Sequence, residues 1–148
     1  AIPGLRLGYL AGPEALVNRL ESAKEPWTVN ALAQAVGLEL CRGSLVLQDY
    51  AERSRKLIQE ERDFLTRAIS EIEGLQPFPS LVNFLLVKLT TPRLDAPTLV
   101  RRSACKGVLV RDCSCLPGLD SSYFRVAVRT RPENQRLVIA LRGAMGEE

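Results

Sequence analysis

A mostly apolar set of positions recurs at helical spacing through the middle of the chain: Leu47, Tyr50, Ser54, Leu57, Ile58, Glu61, Phe64, Leu65, Ala68, Ile69 and Ile72. The spacing predicts one helix over 45–73, about 40 Å long and far beyond the usual ~11–12 residues. Gly74 is placed to stop it. Asp49, Glu52, Glu60, Glu61 and Asp63 lie between the apolar positions and read as its wetted face. Upstream, LRLGYLA at 5–11 reads as a strand with Arg6, Gly8 and Leu10 on one face. Gly12-Pro13 breaks it, and Pro13 opens a helix that ends near Lys24. A second helix, Asn30–Cys41, is apolar or small nearly all round, which predicts burial on several sides. Thr28 or Asn30 is its candidate N-cap, and Arg42-Gly43-Ser44 ends it.

Downstream the period changes. Gln76–Ser80 is a proline-stiffened connector, and Val82–Leu89 is a strand apolar on both faces for most of its length. Asp95 caps a short helix with Pro97 in its first turn, running to about Cys105. Two short apolar runs follow, Val108–Val110 ending on Arg111, and Tyr123–Val128. Thr130 and Glu133 form a capping-box pattern before a last helix carrying Leu137, Val138, Leu141 and Ala144. Residues 82–143 thus read β-α-β-β-α, a small α+β lobe with no internal repeat.

The two late strands carry arginine where a plain core strand would carry an aliphatic. Alternation puts Tyr123, Arg125, Ala127 and Arg129 on one face and Phe124, Val126 and Val128 on the other. Burying a guanidinium costs several kcal/mol, roughly, unless an anion meets it. One reading is an anion pocket lined by Arg111, Arg125 and Arg129. The other is arginines bridged to Asp112 or Asp120, or a solvated sheet face. Spacing alone favours the second, because charged residues are mostly exposed or paired.

Composition narrows the chemistry. The 148 residues suit one ordinary core, with 46% hydrophobic and 25% charged residues. A net charge of +3, dispersed along the chain, argues for neither nucleic acid nor a membrane surface. No apolar run reaches the ~20 residues of a membrane span, and no signal peptide is visible. The four cysteines, Cys41, Cys105, Cys113 and Cys115, read as reduced thiols of a cytoplasmic protein. No metal site is expected: C-x2-C spacing is missing, and there is no histidine. That absence also removes every Ser-His and Cys-His nucleophile. There is no P-loop, GxGxxG or HExxH, and no carboxylate pair suited to glycoside hydrolysis.

PGLRLGYLAGP, PWTVNALAQA, GVLVRDCS and FRVAVRTRPEN together resemble the C-terminal part of a fold-type I pyridoxal-phosphate enzyme. The resemblance runs from Gly4 to about Leu141. Within that family it is strongest to the threonine-phosphate decarboxylases of cobalamin synthesis, with histidinol-phosphate aminotransferases as the sister group. It implies an α/β parent, of which residues 1–44 are a remnant of the large cofactor domain, 45–73 a bridging helix and 74–148 the small C-terminal domain. It implies pyridoxal 5′-phosphate as cofactor and a homodimeric parent in the cytoplasm, with no nucleic-acid or membrane partner.

The same resemblance assigns roles residue by residue. Arg6 matches the arginine that contacts the cofactor phosphate. Arg125 matches the arginine that binds the substrate α-carboxylate, and Arg111 a position that can meet the substrate phosphate. Arg129 stands where the aminotransferases often have glycine. Arg129 and Asp112 are read as structural. Cys115 stands where the subgroup usually has asparagine. The family's Schiff-base lysine sits eight residues before Arg6, which falls before residue 1. Lys24, Lys56, Lys88 and Lys106 stand elsewhere, so no catalytic residue is assigned, and the chain alone is expected to be inactive. The implied reaction is decarboxylation of L-threonine O-3-phosphate to aminopropanol phosphate. The alternatives are a histidinol-phosphate-type aminotransferase and a non-catalytic α+β interaction module.

Overall fold

The structure is a computed structural model that describes residues 3–43 and 45–146. The chain divides into two compact units, Ala1–Ala51 and Glu52–Glu148. Ser44, expected in the turn closing the second helix, lies outside the described residues.

The first unit is helical and holds little core. After a 3-10 turn at Pro3–Leu5, residues 6–13 run without a partner strand. The strand expected over 5–11 is therefore absent. Alternation alone does not make a strand, because its backbone groups need a neighbouring ladder. Helix α1 spans Glu14–Ala23 and α2 spans Ala31–Cys41. Asn30 caps α2 by accepting the Ala33 N–H at 2.9 Å. The burial expected for α2 is not found: Ala33 is its one buried residue, while Leu32 is 78% and Leu38 64% exposed. Gly37 is placed where an added Cβ would stand 2.6 Å from the Leu7 side chain, so the small residue lets residues 6–8 lie against α2.

Helix α3 spans Leu45–Ser70, three residues shorter than its pattern predicts. Its 26 residues give a length of about 39 Å. A turn follows, and Gly74 takes φ +85°, which favours glycine. Strand β1 (Leu75–Pro77) occupies the segment expected to be a connector. Then come β2 (Phe84–Leu89), α4 (Ala96–Cys105), β3 (Arg111–Asp112), β4 (Tyr123–Ala127) and α5 (Arg131–Met145). The four strands form one antiparallel sheet in the order β1-β2-β4-β3.

One face of this sheet is dry. Leu75, Leu85, Val87, Leu89, Phe124 and Val126 pack there with Leu65, Ile69 and Ile72 of α3 and its following turn, Leu99 of α4, and Leu137 and Leu141 of α5. Pleating then sends Phe84, Leu86, Lys88, Tyr123, Arg125 and Ala127 to the opposite, open face. The strand apolar on both faces is thus a half-buried strand. The small lobe is α+β, as its pattern predicts, with one sheet face covered and the other open.

Candidate active site

Arg111 and Arg125 are register partners across the β3–β4 ladder. Directly opposite side chains share a face, and like charges placed so repel each other. Both residues are exposed, not buried as the spacing argument contemplated. Among the described residues, neither guanidinium is ion-paired with a carboxylate. The two candidate acids are engaged in local turns. Asp112 Oδ1 accepts the Ser114 N–H at 2.9 Å. Asp120 Oδ1 accepts the Ser122 N–H at 2.8 Å and its hydroxyl at 2.6 Å, which holds the Asp120 carboxyl below its usual range.

What steadies the two arginines is soft and uncharged. The Arg125 guanidinium carbon lies 4.7 Å from the centroid of the Phe84 ring. Arg111 Nη2 reaches Cys115 Sγ at 3.8 Å. Beneath them Cys113 is fully buried. Burial pushes its thiol up, against the pull of Arg125 and Arg111. Farther along the same face Lys88 lies 5.4 Å from the Tyr123 ring centroid, and Tyr123 packs 6.1 Å from Phe78. The face is therefore cationic and aromatic, open, and built on strands whose dry side fixes their register.

Arg129 does not join this pair. Strand β4 ends at Ala127, and Arg129 Nε donates to Glu133 Oε1 at 2.8 Å. Glu133 also accepts the Thr130 N–H and hydroxyl at the start of α5. Arg129 thus holds a glutamate of the α5 cap, and Asp112 accepts a turn N–H. A cleft of about 220 Å³ is lined by Val108, Val110, Val126, Arg129, Glu133 and Arg136, among others, and includes neither Arg111 nor Arg125.

Sequence reasoning missed two features. Glu61, assigned to the wetted face of α3, is 4% exposed. It accepts Arg131 Nε at 2.9 Å and Asn134 Nδ2 at 2.8 Å. Asn134 also bonds the Arg129 N–H and carbonyl, tying the end of β4 to α5. Phe84, assigned to a strand apolar on both faces for most of its length, is the neighbour of Arg125. The i+70 pairing of Glu61 leaves no local signal, whereas strict alternation from Leu85 would have placed Phe84 on the open face.

Arg6 belongs to the first unit. It is exposed, unpaired among the described residues, and sits on left-handed backbone at φ +52°. Its five N–H donors are open to a phosphate. The described lysines are otherwise engaged. Lys24 pairs with Glu21 at 2.8 Å, Lys56 reaches Glu60 at 4.0 Å, and Lys106 lies against Gly143, where a Cβ would stand 2.7 Å from its Nζ. Arg6 fits the phosphate end of pyridoxal phosphate.

The family model for aminotransferases of class I and II matches residues 1–141. The chain belongs to that family. Its enzymes work with pyridoxal 5′-phosphate, and one relative of similar structure was solved with a phosphopyridoxyl-leucine adduct. The chain is 40% identical over 146 residues to a putative threonine-phosphate decarboxylase of Caldanaerobacter subterraneus, covering 99% of this chain and 38% of that protein. It is 37% identical to the threonine-phosphate decarboxylase of Salmonella typhimurium, with 98% and 38% covered. A histidinol-phosphate aminotransferase of Methanopyrus kandleri is 32% identical, with 93% and 34% covered. Among solved structures, the L-threonine-O-3-phosphate decarboxylase of Porphyromonas gingivalis matches with TM-score 0.73 and 27% identity over 98% of this chain and 43% of that one. The chain thus spans under two fifths of the length of these curated relatives.

Proposed function

We propose that the chain is the C-terminal portion of a pyridoxal-phosphate enzyme that decarboxylates L-threonine O-3-phosphate. The observation that carries this reading is the facing pair Arg111 and Arg125, exposed on one sheet face and without carboxylate partners among the described residues. Two unneutralised guanidiniums on adjacent strands suit a substrate with two anionic ends. Arg125 would grip the α-carboxylate with two in-plane N–H donors, and Arg111 the phosphate. A grip at both ends restricts rotation about the substrate's Cα, so that one bond is presented for cleavage and others are not. Arg6 would hold the cofactor's phosphate. When bound, the cofactor supplies an electron sink for the bond broken at Cα. The identities of 40% and 37% to threonine-phosphate decarboxylases support the substrate class.

A second reading is a histidinol-phosphate-type aminotransferase, favoured by the 32% identity to the Methanopyrus relative. Histidinol phosphate has no carboxylate, but the amino-acid partner of transamination does, so the same two arginines serve. The deciding test is the full reading frame that contains these residues, assayed with O-phospho-L-threonine. Release of CO₂ without a keto-acid acceptor is the expected result. Strict dependence on 2-oxoglutarate would reassign the protein to the aminotransferases. The 148-residue chain by itself is expected to take up no pyridoxal phosphate covalently; an absorbance band that survives dialysis would contradict this.

A further inference from the structure

We infer that Phe84 is a positioning residue for Arg125, holding its guanidinium while leaving its donors free for a carboxylate. This rests on the substrate reading above and deepens it.

Two arginines of the small lobe are held against aromatic rings, and their surroundings differ. Arg131 lies 4.1 Å from the Phe64 ring centroid, and its Nε is also bound to Glu61 at 2.9 and 3.1 Å. Its charge is answered by a carboxylate, and its Nε–H is committed to that carboxylate. Arg125 lies 4.7 Å from the Phe84 centroid, with no carboxylate ion-paired to it among the described residues. A ring attracts the cation through its quadrupole and uses none of the N–H donors. The Arg125 site is therefore half-built: the charge is oriented, and the hydrogen-bonding edge has no acceptor among the described residues.

The register explains how Phe84 comes to act. Arg125 stands opposite Leu86 on one side and Arg111 on the other. Phe84 pairs with Ala127, one step along the same open face and diagonal to Arg125. Diagonal neighbours are within reach of aromatic and long side chains. Facing Arg111 alone, the Arg125 side chain has a repulsive partner and no attractive one. The Phe84 ring supplies the attraction. Phe84 itself is anchored from behind, since Leu85 and Val87 are fully buried and Val128 N–H donates to the Asn83 carbonyl at 2.9 Å.

The experiment uses the full reading frame, with Phe84→Leu, Phe84→Tyr and Arg125→Ala. Two probes are compared: O-phospho-L-threonine, by its KM from initial rates, and O-phospho-1-amino-2-propanol, which keeps the amine and phosphate but lacks the carboxylate, by its inhibition constant as the product. Phe84→Leu is expected to weaken the carboxylate-bearing probe roughly two- to fivefold, the range of an exposed cation–ring contact. It should leave the other probe unchanged, and Phe84→Tyr should restore wild-type binding. In parallel, the Arg125 Nε–Hε resonance of ¹⁵N-labelled protein reports the ring directly. It should be shifted by the ring current in wild type and Phe84→Tyr, and not in Phe84→Leu. Equal weakening of both probes in Phe84→Leu would overturn the inference, because the ring would then serve the fold and not the carboxylate. So would an Arg125 resonance that ignores the substitution. If the resonance responds but wild type binds neither probe, the ring contact stands and the substrate reading falls.

Discussion

An arginine's meaning in this chain is decided by what its donors already hold. Arg129 and Arg131 are bound to Glu133 and Glu61, while among the described residues Arg111 and Arg125 meet a thiol and a ring and no carboxylate. Replacing Arg125 by alanine in the full reading frame should therefore lower kcat/KM for O-phospho-L-threonine roughly ten- to hundredfold, the worth of a charge-assisted bond. Arg129→Ala should change it by less than about twofold, which steady-state kinetics would resolve. Cys113 and Cys115 are separated by two positions and differ as sharply. Burial pushes the Cys113 thiol up, so it stays protonated at neutral pH, whereas Cys115 is exposed. Mass-mapped alkylation at pH 7.5 should label Cys115 well before Cys113. The linkage sign follows from the raised pKa. Its stabilising share is complete below the ordinary thiol range and is lost as pH rises toward the folded-state value.

Helix ends carry the acid sensitivity. Asp95 at the start of α4 is held low by its bonds to Thr98, and Glu133 in the first turn of α5 by Thr130 and Arg129. Asp120 is held low by Ser122. All three bind protons less readily folded than unfolded. Stability is thus fully present above the ordinary carboxylate range and lost as pH falls through it. Urea midpoints should drop from pH 6 to pH 3, with a shallower drop in Asp95→Asn. Between elements, the Glu61 cluster joins α3 to α5. Glu61→Ala leaves Asn134 buried with an unmade bond and Arg131 without its acid, costing about 1–3 kcal/mol by urea unfolding. These elements also mark how far sequence reasoning reaches. Helices α4 and α5 were legible because Asp95-Ala-Pro97 and Thr130-x-x-Glu133 carry their caps locally. Residues 5–11 misled because alternation was present and the partner strand was not. Strand β1 was hidden by Pro77 and Pro79. The facing of Arg111 and Arg125 was not legible at all, since register depends on the intervening turns and on the burial of Phe124 and Val126.

The two compact units differ in how much they bury. Among the described residues, Ala33 is the one buried position of the first unit, while the second holds a core spanning three helices and four strands. Exposed Trp27, Tyr9, Leu32 and Leu38 leave the first unit's apolar surface without a cover in this chain. Native-state hydrogen exchange should show amides of α1 and α2 exchanging near the rate of an open chain, with strong protection confined to β2, β4 and α5. Protection of α2 equal to that of α5 would show that the first unit is stable in its own right. The matched relatives are more than twice as long as this chain.

The sheet order has one more consequence, for the solubility of the lobe. An edge strand offers unpaired backbone groups to any passing strand, and proteins blunt it by brevity, proline or charge. Here the two edges are β1, three residues long and ending in Pro77, and β3, two residues long and beginning with Arg111. The cation proposed to meet a substrate therefore also guards an open edge against pairing with a second copy. Any drift of position 111 toward Val or Ile would remove an anion ligand and expose a strand template in one step.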